Sequence, residues 1–291
     1  MTITDALISS RAILTDAGIE NPRLEAQLLL AWALRARRED LVREPERVLT
    51  ERERLMFDKA VELRAQRRPL AYITGERGFY GRDFKINRAV LIPRWETELL
   101  VSRTLERLRD TPSPVIADIG TGSGCIAVTL ACERADATVY AVDLSRLALL
   151  LAKKNVVRHG VGNRVHLLEG DLLSALPGSV VFDAIVSNPP YIPQTVVASL
   201  QPEVRDYEPA LALSGDGAVT GSDGIGLYPE IFRQAWDCLK PGGWTLVEIG
   251  QGQSDAVMES AIELGYEDVA VTSDYSDIPR VVEARKPLKK G

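Results

Sequence analysis

The chain has 291 residues, 45% of them hydrophobic and 26% charged, with a net charge of −6. That size accommodates one large domain beside a small one, and the composition is that of an ordinary globular protein with a substantial core. No run approaches the ~20 consecutive apolar residues of a membrane span. Residues 1–6 lack the basic and apolar regions of a signal peptide, and an odd cysteine count without a disulfide framework makes a reducing cytoplasm the expected compartment. Three cysteines and two histidines fit neither a disulfide framework nor a zinc site, so no metal is expected. The charge is uneven: residues 1–87 carry 16 Lys and Arg against 14 Asp and Glu, the remainder 19 against 27. An acidic C-terminal part is a poor match for a phosphate backbone, and its charge is read as a solubilising surface.

From Thr4 to about Arg68 the spacing is helical. Leu24, Leu28, Ala31 and Trp32 recur as an amphipathic stripe. Asn21-Pro22 ahead of them predicts an N-cap and a first-turn proline. Thr50 with Glu53 predicts a capping box opening a second long helix through Arg67. These segments imply a small bundle over residues 1–75. Its cluster of Arg64, Arg67 and Arg68, alternating with Glu53 and Glu62, is expected on a solvated face. Residues 78–92 alternate aromatic and β-branched positions, predicting a hairpin that links two domains, a linker placed at 76–93. Glu96 to Leu108 returns to helical spacing.

From Val115 onward strand-like and helix-like segments alternate. Strands are predicted at Val115–Ile119, Thr138–Val142, Arg164–Leu168, Val181–Ser187, Trp244–Ile249, Asp268–Val271 and Arg280–Ala284. Helices are predicted at Cys125–Ala135, Arg146–Arg158, Ile225–Leu239 and Asp255–Leu264. Such βαβ alternation over residues 94–291 implies an α/β domain with a mostly parallel sheet and helices on both faces. The tail 286–291 is expected to be disordered.

The first strand runs into Asp118-Ile119-Gly120-Thr121-Gly122-Ser123-Gly124, followed by a helix. Glycines there permit a sharp turn and close ligand approach at a helix N-terminus. The spacing is Gly-x-Gly-x-Gly, not the Gly-x-Gly-x-x-Gly of dinucleotide sites. Asp143 ends the next strand, where a carboxylate can hold both hydroxyls of a ribose. Asp171, with Leu172, closes the third strand-like run at the same sheet edge. Singly each acid reads as a cap or a loop charge. Together at successive strand ends they suit a ligand with ribose, adenine and a cationic amino-acid portion.

The fourth strand ends in Asn188-Pro189-Pro190-Tyr191. Paired prolines fix two φ angles and remove two backbone donors, leaving local carbonyls free to face a ligand. An amide nitrogen is a weak nucleophile because its lone pair is delocalised. The Asn188 side-chain oxygen and the Pro189 carbonyl could each accept one N–H of a substrate –NH2, orienting the lone pair and stabilising developing positive charge. Tyr191 can stack on the planar group.

With these motifs the sequence resembles the HemK/PrmC protein methyltransferases over residues 68–285. Further segments carry the likeness: Gly78 to Phe84, Leu91-Ile92-Pro93-Arg94, Glu96-Thr97-Glu98, Pro202 to Pro209 and Glu248-Ile249-Gly250. Asn-Pro-Pro-Tyr alone is shared with DNA-adenine and RNA-guanine methyltransferases. The resemblance implies a Rossmann-like class I methyltransferase domain of seven strands that uses S-adenosylmethionine and releases S-adenosylhomocysteine. Its implied reaction is methylation of the glutamine amide in the Gly-Gly-Gln loop of class 1 peptide chain release factors, by a monomer. Residues 118–122 would line the methionine part of the cofactor, Asp143 its ribose, and Asp171 and Leu172 its adenine. Residues 188–191 would grip the glutamine, Asn188 also bordering the cofactor, and the helical bundle would contact the release factor. Trp95 departs from the family, which more often has proline after Pro-Arg, leaving the start of the following helix open. The rival readings are a methyltransferase of exocyclic amines in DNA or RNA, a non-catalytic cofactor-binding adaptor and a nicotinamide oxidoreductase.

Overall fold

The computed structural model describes residues 1–215, 221 and 223–288. They form two compact units, Met1–Glu76 with Gln201–Tyr207, and Arg77–Leu200 with Glu208–Gly291. The first is helical: α1 (Ile3–Asp16), α2 (Pro22–Leu34), α3 (Arg38–Arg43), α4 (Glu51–Ala65) and α5 (Leu70–Thr74). Its core gathers Ile3, Leu14, Leu29, Leu30 and Phe57. The capping box of α4 forms as its sequence requires, with the Thr50 hydroxyl accepting from Glu53 N and Glu53 Oε2 accepting from Thr50 N at 2.9 Å. Pro22 opens α2, but the Asn21 side chain makes no cap bond.

Two expectations for this unit are corrected. In α2, Ala31 of the expected stripe is buried and Trp32 packs half-buried against the core, but Leu24 is exposed and Leu28 only half-buried, whereas Ala26, Leu29, Leu30 and Ala33 complete the buried face. The run Leu28-Leu29-Leu30 gives the helix apolar character on more than one side, and packing against α1 and α4 selects the face whose small alanines let neighbouring helices approach. The arginine cluster is not a solvated face. Arg64 is buried, its guanidinium bound to Glu25 and, through Nη2 at 3.0 Å, to Glu203 Oε1. Arg67 Nη2 reaches Glu203 Oε2 at 2.7 Å. A guanidinium removed from water must be paired, and Glu203 meets that demand from 139 residues away.

A hairpin follows, β1 (Glu76–Phe79) and β2 (Arg82–Lys85), which from Arg77 onward belongs to the second unit. Tyr80 and Gly81 both take positive φ, the backbone of a tight turn that matches strand twist. Asn155 fixes the hairpin to the rest of the unit, accepting from Lys85 N at 2.7 Å and donating to Lys85 O and Ser123 O.

After it come α6 (Thr97–Arg107), β3 (Val115–Ile119), α7 (Cys125–Glu133), β4 (Thr138–Asp143), α8 (Arg146–Arg158), β5 (Val165–Glu169) and β6 (Phe182–Ser187). Three short helices follow, α9 (Gln194–Val197), α10 (Pro202–Arg205) and α11 (Ala210–Ser214), with α10 lying in the first unit. The chain then forms α12 (Leu227–Cys238), β7 (Leu239–Glu248), α13 (Ser254–Glu263), β8 (Glu267–Ser273) and β9 (Pro279–Arg285). Trp95 does not prevent α6: Glu98 N donates to Trp95 O and Leu99 N to Glu96 O, so the chain enters the helix through a turn. Of the tail expected to be disordered, 286–288 carries no helix or strand and 289–291 lie outside the described residues.

The seven strands of the main sheet run in the order β5-β4-β3-β6-β7-β9-β8. The first five are mutually parallel; β9 is antiparallel to both β7 and β8. This is the mostly parallel α/β sheet that the alternating segments predict. Strands covered on both faces are apolar throughout, and Ile116, Ala117, Ala184, Ile185 and Val186 are all fully buried. Among the described residues, no helix is long and apolar enough to cross a membrane. The chain passes from β3 outward to β4 and β5, then returns to β6 on the other side of β3, and ligands of such sheets bind beyond the carboxyl ends at that reversal.

Candidate active site

A cavity of about 280 Å³ opens at this reversal. Its floor is the Gly-rich turn between β3 and α7. Gly120 N and Thr121 N both donate to Val142 O at 2.9 Å, drawing the turn onto β4. Gly120 has φ +73°, unfavourable for a side chain, and its position beside the Asn188 carbonyl keeps the two loops in touch. Gly124 has φ +79°, and a Cβ there would stand 3.2 Å from the Ala152 Cβ, so its bareness lets α7 and α8 pack closely.

Asp118 lies under this turn and not on the cavity wall. It is fully buried, accepting from the Thr121 hydroxyl at 2.6 Å and from Ala127 N at 3.1 Å, while its Oδ1 has no partner. Burial, with the nearby negative charge of Asp143, pushes its carboxyl up to about 7 despite those hydrogen bonds. Asp143 does line the cavity. Its two oxygens accept from Gly122 N and Ser145 N at 2.8 Å each, leaving lone pairs on both toward the cavity. Its pKa is raised by burial. Asp171 and Leu172 close the same wall, and Leu172 holds a left-handed φ of 46°, strain that a side chain tolerates where the surroundings enforce it.

At the end of β6, Asn188 and Pro190 line the cavity, while Pro189 is buried and Tyr191 turns away from it. The Asn188 Nδ2 donates to Thr97 Oγ1 at 3.1 Å. The Tyr191 hydroxyl donates to Glu248 Oε1 at 3.2 Å, and desolvation with the adjacent carboxylate holds its pKa well above that of a free phenol. Gln253 anchors the loop from behind, Nε2 donating to Tyr191 O at 3.0 Å and to Asp223 O at 3.1 Å. Burial drives the Cys125 thiol up to about 12. It stays protonated and is no nucleophile.

Several residues of this wall were not singled out as site residues in the sequence. Pro93, Arg94, Thr97 and Pro209 line the cavity. Glu248, the last residue of β7, is buried behind it with Oε2 unpartnered and its carboxyl pushed by desolvation up to about 7. The strand-end rule that selects Asp143 also selects Glu248.

The chain matches a PrmC N-terminal domain over residues 5–75 and a methyltransferase small domain over residues 96–202. It is 42% identical to a release factor glutamine methyltransferase of Koribacter versatilis, an alignment covering 99% of each chain. It is 43% identical to one of Geobacter sulfurreducens, over 98% of this chain and 96% of the other. The chain belongs to the release factor glutamine methyltransferase family. Among solved structures, a methyltransferase from Pyrococcus furiosus shares the fold, with a TM-score of 0.51 at 19% identity, over 72% of this chain and 91% of that one.

Proposed function

We propose that this chain transfers a methyl group from S-adenosylmethionine to the side-chain amide nitrogen of the glutamine in the Gly-Gly-Gln motif of class 1 release factors. One observation carries the reading: Asn188, tied through its NH2 to Thr97, stands beside the Gly120 turn on the wall of a single cavity. The donor fits this chain. The bare Gly120–Gly122 backbone would cradle the methionine portion, Asp143 would take the ribose hydroxyls on its remaining lone pairs, and Asp171 with Leu172 would border the adenine. When bound, the donor supplies a methyl group already activated by a sulfonium.

The protein's own contribution is orientation. Asn188 Oδ1 and the Pro189 carbonyl each accept one N–H of the substrate –NH2, so the nitrogen lone pair points out of the amide plane toward the methyl side. As positive charge grows on nitrogen, those two acceptors strengthen their hold, which stabilises the transition state more than the ground state. The proton that the nitrogen must shed passes to water, which suffices because an N-protonated amide is strongly acidic. Asp118 acts from beneath, fixing Thr121 and the first turn of α7. Tyr191 acts through its backbone and its bond to Glu248 and frames the acceptor loop.

The test uses radiolabelled S-adenosylmethionine with purified release factor, the same factor lacking the motif glutamine, total RNA and DNA. Label is expected only in the intact factor. Asn188→Ala should retain cofactor affinity and lose most transfer. Label confined to nucleic acid would overturn the substrate assignment.

A further inference from the structure

Pro189 and Pro190 have no N–H, so the middle of the Asn188–Tyr191 loop cannot be fastened by backbone donors and depends on its carbonyls and side chains. Behind the loop stands Gln253, 9% exposed, one residue ahead of α13. Its Oε1 accepts from Gly250 N at 2.8 Å, and its Nε2 donates to Tyr191 O at 3.0 Å and to Asp223 O at 3.1 Å. One carboxamide therefore joins the acceptor loop, the turn that follows β7 and the segment ahead of α12.

All three partners are backbone groups, whose roles as donor or acceptor are fixed. That settles which end of the carboxamide points where. Turned over, it would set its oxygen against two carbonyl oxygens and its NH2 against an N–H, with three bonds lost at once. Two glycines make the room for it. A Cβ on Gly250 would stand 2.8 Å from Gln253 Oε1 and 3.1 Å from Tyr191 Cδ2, and one on Gly224 would stand 3.0 Å from Gln253 Nε2. Tyr191 is held at a second point, its hydroxyl donating to Glu248 Oε1 at 3.2 Å. The next residue is held as well, Ile192 N donating to Leu213 O at 3.0 Å.

The Pro189 carbonyl lies between this pinned tyrosine and Asn188, which Thr97 holds from the other end. The Pro190 ring locks the φ next to that carbonyl, leaving few soft torsions through which it can swing. We propose that Gln253 is a positioning residue that aims the Pro189 carbonyl at the substrate –NH2 by holding the Tyr191 carbonyl from behind. The proposal rests on the reading of Asn188 and Pro189 as the amide clamp. Gln253 is not part of the cavity lining, so its effect falls on the rate of transfer and not on cofactor affinity.

The experiment measures kcat, KM for the release factor and Kd for S-adenosylmethionine in the full-length wild type, Q253M, Q253E, G250A, N188A and the N188A/Q253M double variant, with urea melts to establish that each is folded. Methionine keeps the length of glutamine without its hydrogen bonds, and glutamate sets a carboxylate against two carbonyls. Both should lower kcat by about 10- to 100-fold, as small misplacements at a reacting centre do, with cofactor Kd and factor KM unchanged. G250A pushes on the same carboxamide from its other end, should act in the same direction, and decides the matter if the Gln253 variants fail to fold. In N188A the clamp is already open, so adding Q253M should slow transfer little further, whereas a general weakening of the fold would multiply the two losses. Wild-type kcat in folded Q253M, or losses that multiply in the double variant, would overturn the positioning role and leave the clamp standing. N188A at full speed would remove the clamp and this proposal with it, and a wild type that labels no release factor would remove the substrate reading on which both depend.

Discussion

The Glu208 carboxylate binds the Arg94 guanidinium at 2.5 Å and accepts from the Ile92 backbone N–H at 3.1 Å, joining stretches 116 residues apart. Glu208 is almost wholly buried, and the prolines flanking this contact, Pro93 and Pro209, both reach the cavity. Replacing it with alanine would strand a buried N–H and release Arg94. A loss of about 2–4 kcal/mol in urea unfolding is expected, the lower part of that range because Arg94 can reach water. Glu208→Gln, which still accepts from Ile92, should lose less. Equal stability in all three proteins would show that the contact is dispensable.

Asp143 binds Gly122 N and Ser145 N while facing the cavity. Asp143→Ala would remove one anchor of the Gly-rich turn, at Gly122 N, and the acceptor for Ser145 N ahead of α8, as well as the proposed acceptor for ribose. Titration calorimetry with S-adenosylmethionine should give a Kd higher by about 30- to 100-fold, the equivalent of ~2–3 kcal/mol. An unchanged Kd would take Asp143 out of the donor site.

Gly224 has φ +79°, and an added Cβ would fall 2.1 Å from the Tyr191 carbonyl oxygen. Gly224→Ala cannot be accommodated without moving the acceptor loop or the segment on top of it. A stability loss of about 1–3 kcal/mol is expected from strain and overpacking. Methyl transfer should fall further than cofactor binding, because the displaced atoms belong to the acceptor side. Wild-type turnover would show that Tyr191 O can shift freely.

Glu283, fully buried on β9, accepts from Arg103, Arg107 and Thr272. Desolvation opposes its charge, but the two arginines and the threonine outweigh it and hold the carboxyl below its ordinary value. The folded state therefore binds this proton less readily than the unfolded chain. Its contribution is present above the unfolded pKa, near 4.5, and is lost as pH falls through the lower folded value. Glu283→Gln should cost about 2–3 kcal/mol at pH 7. The gap between variant and wild type in denaturant melts should narrow below pH 4.5. A gap constant down to pH 3 would refute the linkage.

Much of the sheet was legible because its strands carry the long β-branched runs of a two-sided core. Val115–Ile119 and Arg146–Arg158 fall on their observed bounds, and Thr50 with Glu53 caps α4 because the backbone N–H groups there have no other local partner. The buried face of α2 was hidden by three consecutive leucines, and the fate of Arg64 by a partner in Glu203 that no local pattern reveals. The helices α9 to α11, four or five residues each, leave too short a period to read. In the site, the glycines and Asp143 stood out because strand ends are where ligands bind. Thr97 and Glu248 were legible only as parts of the segments Glu96 to Glu98 and Glu248 to Gly250 and not as site residues, because their burial against the cavity wall is set by tertiary packing.

The registered pairing of Ile119 with Ser187 has a metric consequence. The loops that follow leave the sheet from adjacent strands, whose spacing is about 4.8 Å, and the Ser187 hydroxyl clamps Ile119 O at 2.8 Å at the point of departure. If the two loops hold methyl source and methyl acceptor as proposed, the gap between them is measured off at its base by the sheet itself, like a gauge block. On that reading, surrounding segments could change in length or composition while the spacing of the two loops' points of departure stays as the hydrogen-bonded ladder set it.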